Sequence, residues 1–84
     1  MSGGMWNEQN LYFFLRHLGF SHRETDIIRA MLDSKTDEET AREYNIAKST
    51  VNSHNSNIYS KSNTKSKVEL ITYLYKKGLD NCRI

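Results

Sequence analysis

Proline is absent from the 84 residues and glycine occurs only four times. Proline punctuates loops and sheet edges, so its absence argues against a β-rich chain and suits helices joined by short turns. The one cysteine, Cys82, cannot close an internal disulfide, which sets the chain apart from stapled secreted minidomains. No apolar signal core and no run of about eighteen apolar residues is present, so export and membrane spanning are disfavoured and a cytoplasmic location is expected. His17, His22, His54 and Cys82 have no ligand spacing, so no metal is expected. Carboxylates form no catalytic cluster, no glycine loop cradles a phosphate, and the neighbours Ser53 and His54 fall on different helix faces; neither enzyme chemistry nor a cofactor is expected.

What remains is the composition of one small globular domain, 37% hydrophobic and 26% charged. Size scaling lets such a chain bury roughly 60–65% of its unfolded surface, too little for a large cleft. The net charge of +2 hides an asymmetry. Residues 1–45 carry 5 basic and 8 acidic side chains, whereas residues 46–84 carry 7 and 2. Between 48 and 67 stand Lys48, Lys61, Lys65 and Lys67 with no acid among them, the local footprint of a phosphate binder or, more plainly, a solvated polar segment.

The opening MSGG is expected to be flexible and is set aside. From Trp6 to Leu18, the spacing of Leu11, Phe14, Leu15 and Leu18 predicts a short amphipathic helix stopped at Gly19, with Tyr12 and Phe13 off the stripe and available to a protein partner. Ser21 and Glu24 form a capping box ahead of a helix whose buried face is Ile27, Ile28, Met31 and Leu32. Thr36 and Glu39 repeat the device before a shorter helix carrying Thr40, Ala41 and Tyr44, closed by Asn45 in the left-handed conformation. A third box is expected from Ser66 and Glu69, opening a last helix with Leu70, Ile71 and Leu74 inward, Lys76 and Lys77 at its end and Gly78 as its cap.

The stretch 47–66 is rich in Ser, Asn, Lys and Thr, residues whose side chains compete with the helical backbone, and propensity alone reads it as a loop. Val51, His54 and Ile58 nevertheless recur at i, i+3 and i+7, the thin apolar stripe of a helix of about three turns. A helix coated with short amides and hydroxyls is built to face something polar.

Helix, tight turn at Asn45-Ile46-Ala47-Lys48, then polar helix is the helix-turn-helix layout. Over Phe20–Leu70, without a gap, the chain resembles the DNA-binding domain of the LuxR/GerE family of bacterial transcription regulators, and the last helix extends the likeness to Gly78. Arg23-Glu24, Glu39, Ala41, Ile46, Thr50-Val51, His54, Asn57-Ile58-Tyr59, Lys61 and Glu69 carry it, in order and at fixed spacing. The family usually has Gly at Ser34 and Asn45, Ile at Thr40, Ser at Ala47, Lys at Asn52, Leu at Ser62, Val at Thr64 and Arg at Lys67.

The resemblance implies an all-α fold: a four-helix helix-turn-helix domain over 20–79, an N-terminal extension over 1–19 with its own short helix, and a C-terminal tail over 80–84. With few residues ahead of the domain, the stand-alone, GerE-like form is expected. It implies a sequence-specific transcription regulator that lays a recognition helix over about 49–61 in the major groove of double-stranded DNA, as a homodimer at least when bound, in the bacterial nucleoid. Asn52, Ser53 and Ser56 become the base-edge candidates, and Lys48, Ser49, Thr50, Lys61 and Lys65 the phosphate contacts. The flank Val68, Thr72 and Tyr75 becomes the dimer candidate, aided by Trp6, Tyr12 and Phe13. The alternative is an interaction protein derived from this fold that pairs with or inhibits a larger relative.

Overall fold

The helices are delimited less by what starts them than by how they stop. The computed structural model describes residues 6–84, so the MSGG opening lies outside the described residues. In chain order the elements are α1 (Glu8–His17), α2 (His22–Leu32), α3 (Asp37–Glu43), α4 (Lys48–Ser62), α5 (Lys67–Lys77) and a 3₁₀ turn (Leu79–Cys82). Among the described residues the only bridge pairing is an isolated antiparallel one between Trp6 and Arg83, so the architecture is all-helical.

Helices α1 to α4 share one closure. An amide just past the helix reaches back five residues to a carbonyl of the last turn: Phe20 to Leu15, Lys35 to Ala30, Ile46 to Ala41 and Thr64 to Tyr59. This Schellman arrangement requires a left-handed residue in between. Gly19 takes that position after α1, but Ser34, Asn45 and Asn63 take it after α2, α3 and α4, at φ of 62°, 54° and 56°. Asn is the best tolerated substitute for glycine there, and Ser34 carries the larger penalty.

At the N-terminal ends, Ser21 and Thr36 form complete capping boxes with Glu24 and Glu39. The third expected box is only half formed. Ser66 Oγ accepts from the Glu69 amide at 3.2 Å, but the Glu69 carboxylate accepts from the Lys65 amide instead of that of Ser66. Ser66 sits at φ −151°, extended enough to swing the preceding amide, rather than its own, toward Glu69.

One core joins α1, α2, α4, α5 and the 3₁₀ turn. Leu11, Leu15, Phe20, Ile27, Ile28, Met31, Ile58, Leu70 and Leu74 are buried together, while Val51 and Ala41 are buried between α3 and α4 and Ile71, expected inside, is half-exposed. Trp6 is not at a pairing surface: it is 4% exposed and belongs to this core. Residues beyond 79 are likewise no loose tail. Leu79 and Cys82 are buried in the same cluster, and the Asn7 amide donates to the Cys82 carbonyl at 2.7 Å, joining the two ends of the fold. Burial pushes the Cys82 thiol up, away from its reactive thiolate form.

The hydroxyls of Thr40, Ser62 and Thr64 all find hydrogen-bond partners. Thr40 Oγ1 donates to the Thr36 carbonyl at 2.9 Å, and Ser62 Oγ bonds the Ile58 carbonyl at 2.9 Å and Thr64 Oγ1 at 2.7 Å. Ser62 and Thr64 thus form a hydrogen-bonded pair, with no hydroxyl stranded at Ser62.

Candidate nucleic-acid interface

The turn between α3 and α4 decides what α4 presents. Asn45 in the left-handed region reverses the chain, Ile46 tucks back over the end of α3, and α4 starts at Lys48, one residue ahead of the expected 49. Ala41, at 8% exposure, is the small residue that lets the two helices cross closely. Val51, Ile58 and Ser62 turn inward and fix the rotation of α4. Asn52, Ser53 and Ser56 therefore face outward, exposed, with Ser49, Asn57 and Ser60 around them. His54 and Asn55 are half-buried on the flank.

This face is neutral. From Ser49 to Ser60 no residue is charged, so it offers donors and acceptors but no fixed charge of its own. Ala47 at the N-cap position supplies no side-chain hydrogen bond, which leaves the positive end of the α4 dipole open. Lys48 and Ser49 are exposed there, and Thr50 is half-buried.

Two surroundings of α4 escaped the sequence pattern. The first turn of α3 is acidic, and it lies against the start of α4: Glu38 Oε2 stands 3.9 Å from Lys48 Nζ, and Asp37 Oδ1 accepts from Asn55 Nδ2 at 3.3 Å. Only the adjacency of Asp37, Glu38 and Glu39 in the sequence could have signalled a negative rim there. The second concerns Lys61, assigned from the sequence to a phosphate. Its ammonium donates to Glu24 Oε1 at 2.7 Å and to the Gly19 carbonyl at 3.2 Å, tying α4 to the start of α2. Burial alone would raise the Glu24 carboxyl, but Lys61 and the Ser21 amide outweigh it and hold it below the usual carboxylate range. Lys65 is exposed, and although its backbone amide donates to Glu69, its ammonium lies within ion-pair distance of no carboxylate among the described residues.

The dimer candidates divide. Val68, at 74% exposure, and Thr72 are open, although Thr72 Oγ1 donates to the Val68 carbonyl. Tyr75 is 39% exposed and already engaged, its hydroxyl accepting from Arg83 at 2.8 Å while the guanidinium also lies over the Trp6 ring.

No helix among the described residues is long and apolar enough to cross a membrane, and no group of three potential metal ligands is present among them. No curated protein and no solved structure is significantly similar to the chain. A family model, described as bacterial regulatory proteins, luxR family (GerE), matches residues 18–74, which run from the end of α1 to most of α5 and make up more than half of the chain. The chain therefore belongs to the luxR family of bacterial regulatory proteins, and its helix-turn-helix is a domain of the DNA-binding, transcription-regulating kind.

Proposed function

We propose that the chain is a sequence-specific transcription regulator that inserts α4 into the major groove. The observation that carries this reading is the exposed, charge-free amide and hydroxyl face of α4, held outward by buried Val51 and Ile58 behind an uncapped helix end. Asn52 matches the N6 and N7 edge of adenine, while Ser53 and Ser56 accept either partner. A phosphate at the open end of α4 supplies the cap that Ala47 does not. Lys48, Ser49, Thr50 and Lys65 set register on the backbone, and Lys61 adds the part of its charge that Glu24 leaves uncompensated. The DNA-binding unit is the four-helix span 20–79, with α1 built onto it, and its place is on the chromosome.

Binding sites selected from random duplexes test this. Asn52→Ala is expected to relax preference at one base pair and to weaken the selected site by about 1–3 kcal/mol, read by titrated mobility shift. Unchanged site preference moves base reading elsewhere on α4. A single module reads too few base pairs for a genomic address, so two copies pair on a two-fold site through Val68, Thr72 and Tyr75. Tyr75→Glu keeps an acceptor for Arg83 but adds like charge across the pair, and is expected to remove cooperative binding to a two-half-site duplex. Cooperativity that survives it places the contact outside this flank.

One observation favours the other reading, an interaction protein that has left DNA behind: the carboxylates of Asp37 and Glu38 at the rim of α4, the second of them beside Lys48. A folded chain that shifts no duplex even at low salt establishes that reading against the first.

A further inference from the structure

Away from α4, the ends of α1 and α5 enclose a shallow groove. Its walls carry Arg16, His17 and Lys77, its rim carries Phe13, and its floor is Phe14 beside Gly78. No carboxylate lines it. We infer that this groove docks a protein partner through an acidic peptide segment with an apolar anchor residue.

Three observations support it. Phe13 is 60% exposed on a helix whose other apolar residues are buried or half-buried, so most of its ring stays in water although its edge meets Tyr12, centroids 5.7 Å apart. The cations are not spent on carboxylates, although Lys77 Nζ lies over the Tyr73 ring at 5.6 Å from its centroid. Arg23, Arg29, Lys35, Lys48, Lys61 and Arg83 each lie within ion-pair distance of a carboxylate, whereas among the described residues Arg16 and Lys77 do not. The floor carries no side chain at Gly78, whose φ of 114° makes it the left-handed cap of α5 and whose missing Cβ would lie in ordinary contact with Phe14 and Asn81.

Helix dipoles favour cations at helix ends, which accounts for a basic residue on each of α1 and α5 taken singly. It does not account for the convergence of both ends on one groove beside an exposed phenyl ring and without a single acid. Positive walls around an apolar floor complement an acidic segment carrying an aliphatic or aromatic anchor. A DNA duplex would satisfy the cations but leave Phe13 without a partner, since its base faces are stacked away. This inference is independent of the reading of α4, because no lining residue belongs to that helix.

Selection of random peptides of about a dozen residues on the immobilised full chain, followed by fluorescence anisotropy of the recovered sequences, tests it. Recovered peptides are expected to carry several Asp or Glu around Leu, Phe or Trp, and to bind Asn52→Ala as they bind the natural chain. They are expected to lose about tenfold or more in affinity for the Arg16→Gln/Lys77→Gln double variant and, separately, for Phe13→Ala, with both variants checked for native circular dichroism. Recovery of neutral or basic sequences overturns the inference, as does the absence of any peptide that depends on these three side chains. Should the double variant instead lose affinity for single-stranded or duplex DNA while Phe13→Ala does not, the groove holds phosphate and the peptide assignment fails.

Discussion

Glu24→Ala is expected to remove a large part of the domain's stability at neutral pH. The carboxylate is 4% exposed and serves two masters at once. It accepts from the Ser21 amide at 2.8 Å, closing the capping box of α2, and from Lys61 Nζ at 2.7 Å, fastening α4 to α2. Hydrogen bonds to a charged group contribute about 1.5–3 kcal/mol each, so losing both removes roughly 3–6 kcal/mol. Domains of this kind have about 5–15 kcal/mol in all, and a chain this short sits toward the lower end. A urea titration followed by circular dichroism reads the loss, and a shift worth less than about 1 kcal/mol sinks the assignment. The pH dependence supplies a second reading. Because the folded carboxyl lies below its ordinary value of 4.5, its contribution is complete above that pH and is lost as pH falls through the folded value. The stability difference between the natural chain and Glu24→Gln should therefore be largest near neutrality and shrink in acid. Lys61→Met should move the acid transition upward, since burial then acts on Glu24 with less to oppose it.

This contact shows where a sequence is legible and where it is not. Ser21-Glu24 and Thr36-Glu39 could be read directly, because a capping box is a bargain between residues three apart. Ser66-Glu69 has the same letters, yet the extended backbone at Ser66 hands Glu69 to the Lys65 amide. Helix α4 could be found despite poor propensity because Val51 and Ile58 bury at helical spacing, tertiary packing overriding local preference. For the candidate site, the same stripe placed Asn52, Ser53 and Ser56 on the outside, but periodicity carries no information on what another helix brings alongside. Glu38 beside Lys48, Glu24 beneath Lys61 and Glu8 on Arg29, at 2.7 Å from Nε, all join separate elements. Ser62 and Thr64 were legible as polar atoms in a core position, and only the folded chain makes them each other's partner.

Deleting residues 1–18 is expected to abolish cooperative folding rather than to release a smaller DNA-binding domain. The family match begins at residue 18, which suggests that everything before it is an attachment. The packing says otherwise. Trp6, Leu11 and Leu15 are 4%, 2% and 1% exposed and share one cluster with Ile28, Leu74, Leu79 and Cys82. Each side chain of this size contributes about 2–5 kcal/mol when fully buried, so the three together approach the stability of the whole domain. The deletion also takes away the Glu8 partner of Arg29, a guanidinium held strongly protonated by that contact, and the Asn7 amide that anchors the Cys82 carbonyl. In α2 to α5 the polar pair Ser62 and Thr64 and the uncapped α4 leave less to spare than an apolar core would, so α1 is the compensation. Thermal melting of the 19–84 fragment by circular dichroism should show no sigmoidal transition, and Leu15→Ala in the full chain should lower stability by about 2–5 kcal/mol. A fragment that melts cooperatively near the temperature of the full chain, and still binds the duplexes selected by it, would reduce α1 to an appendage and return the fold to α2–α5 alone.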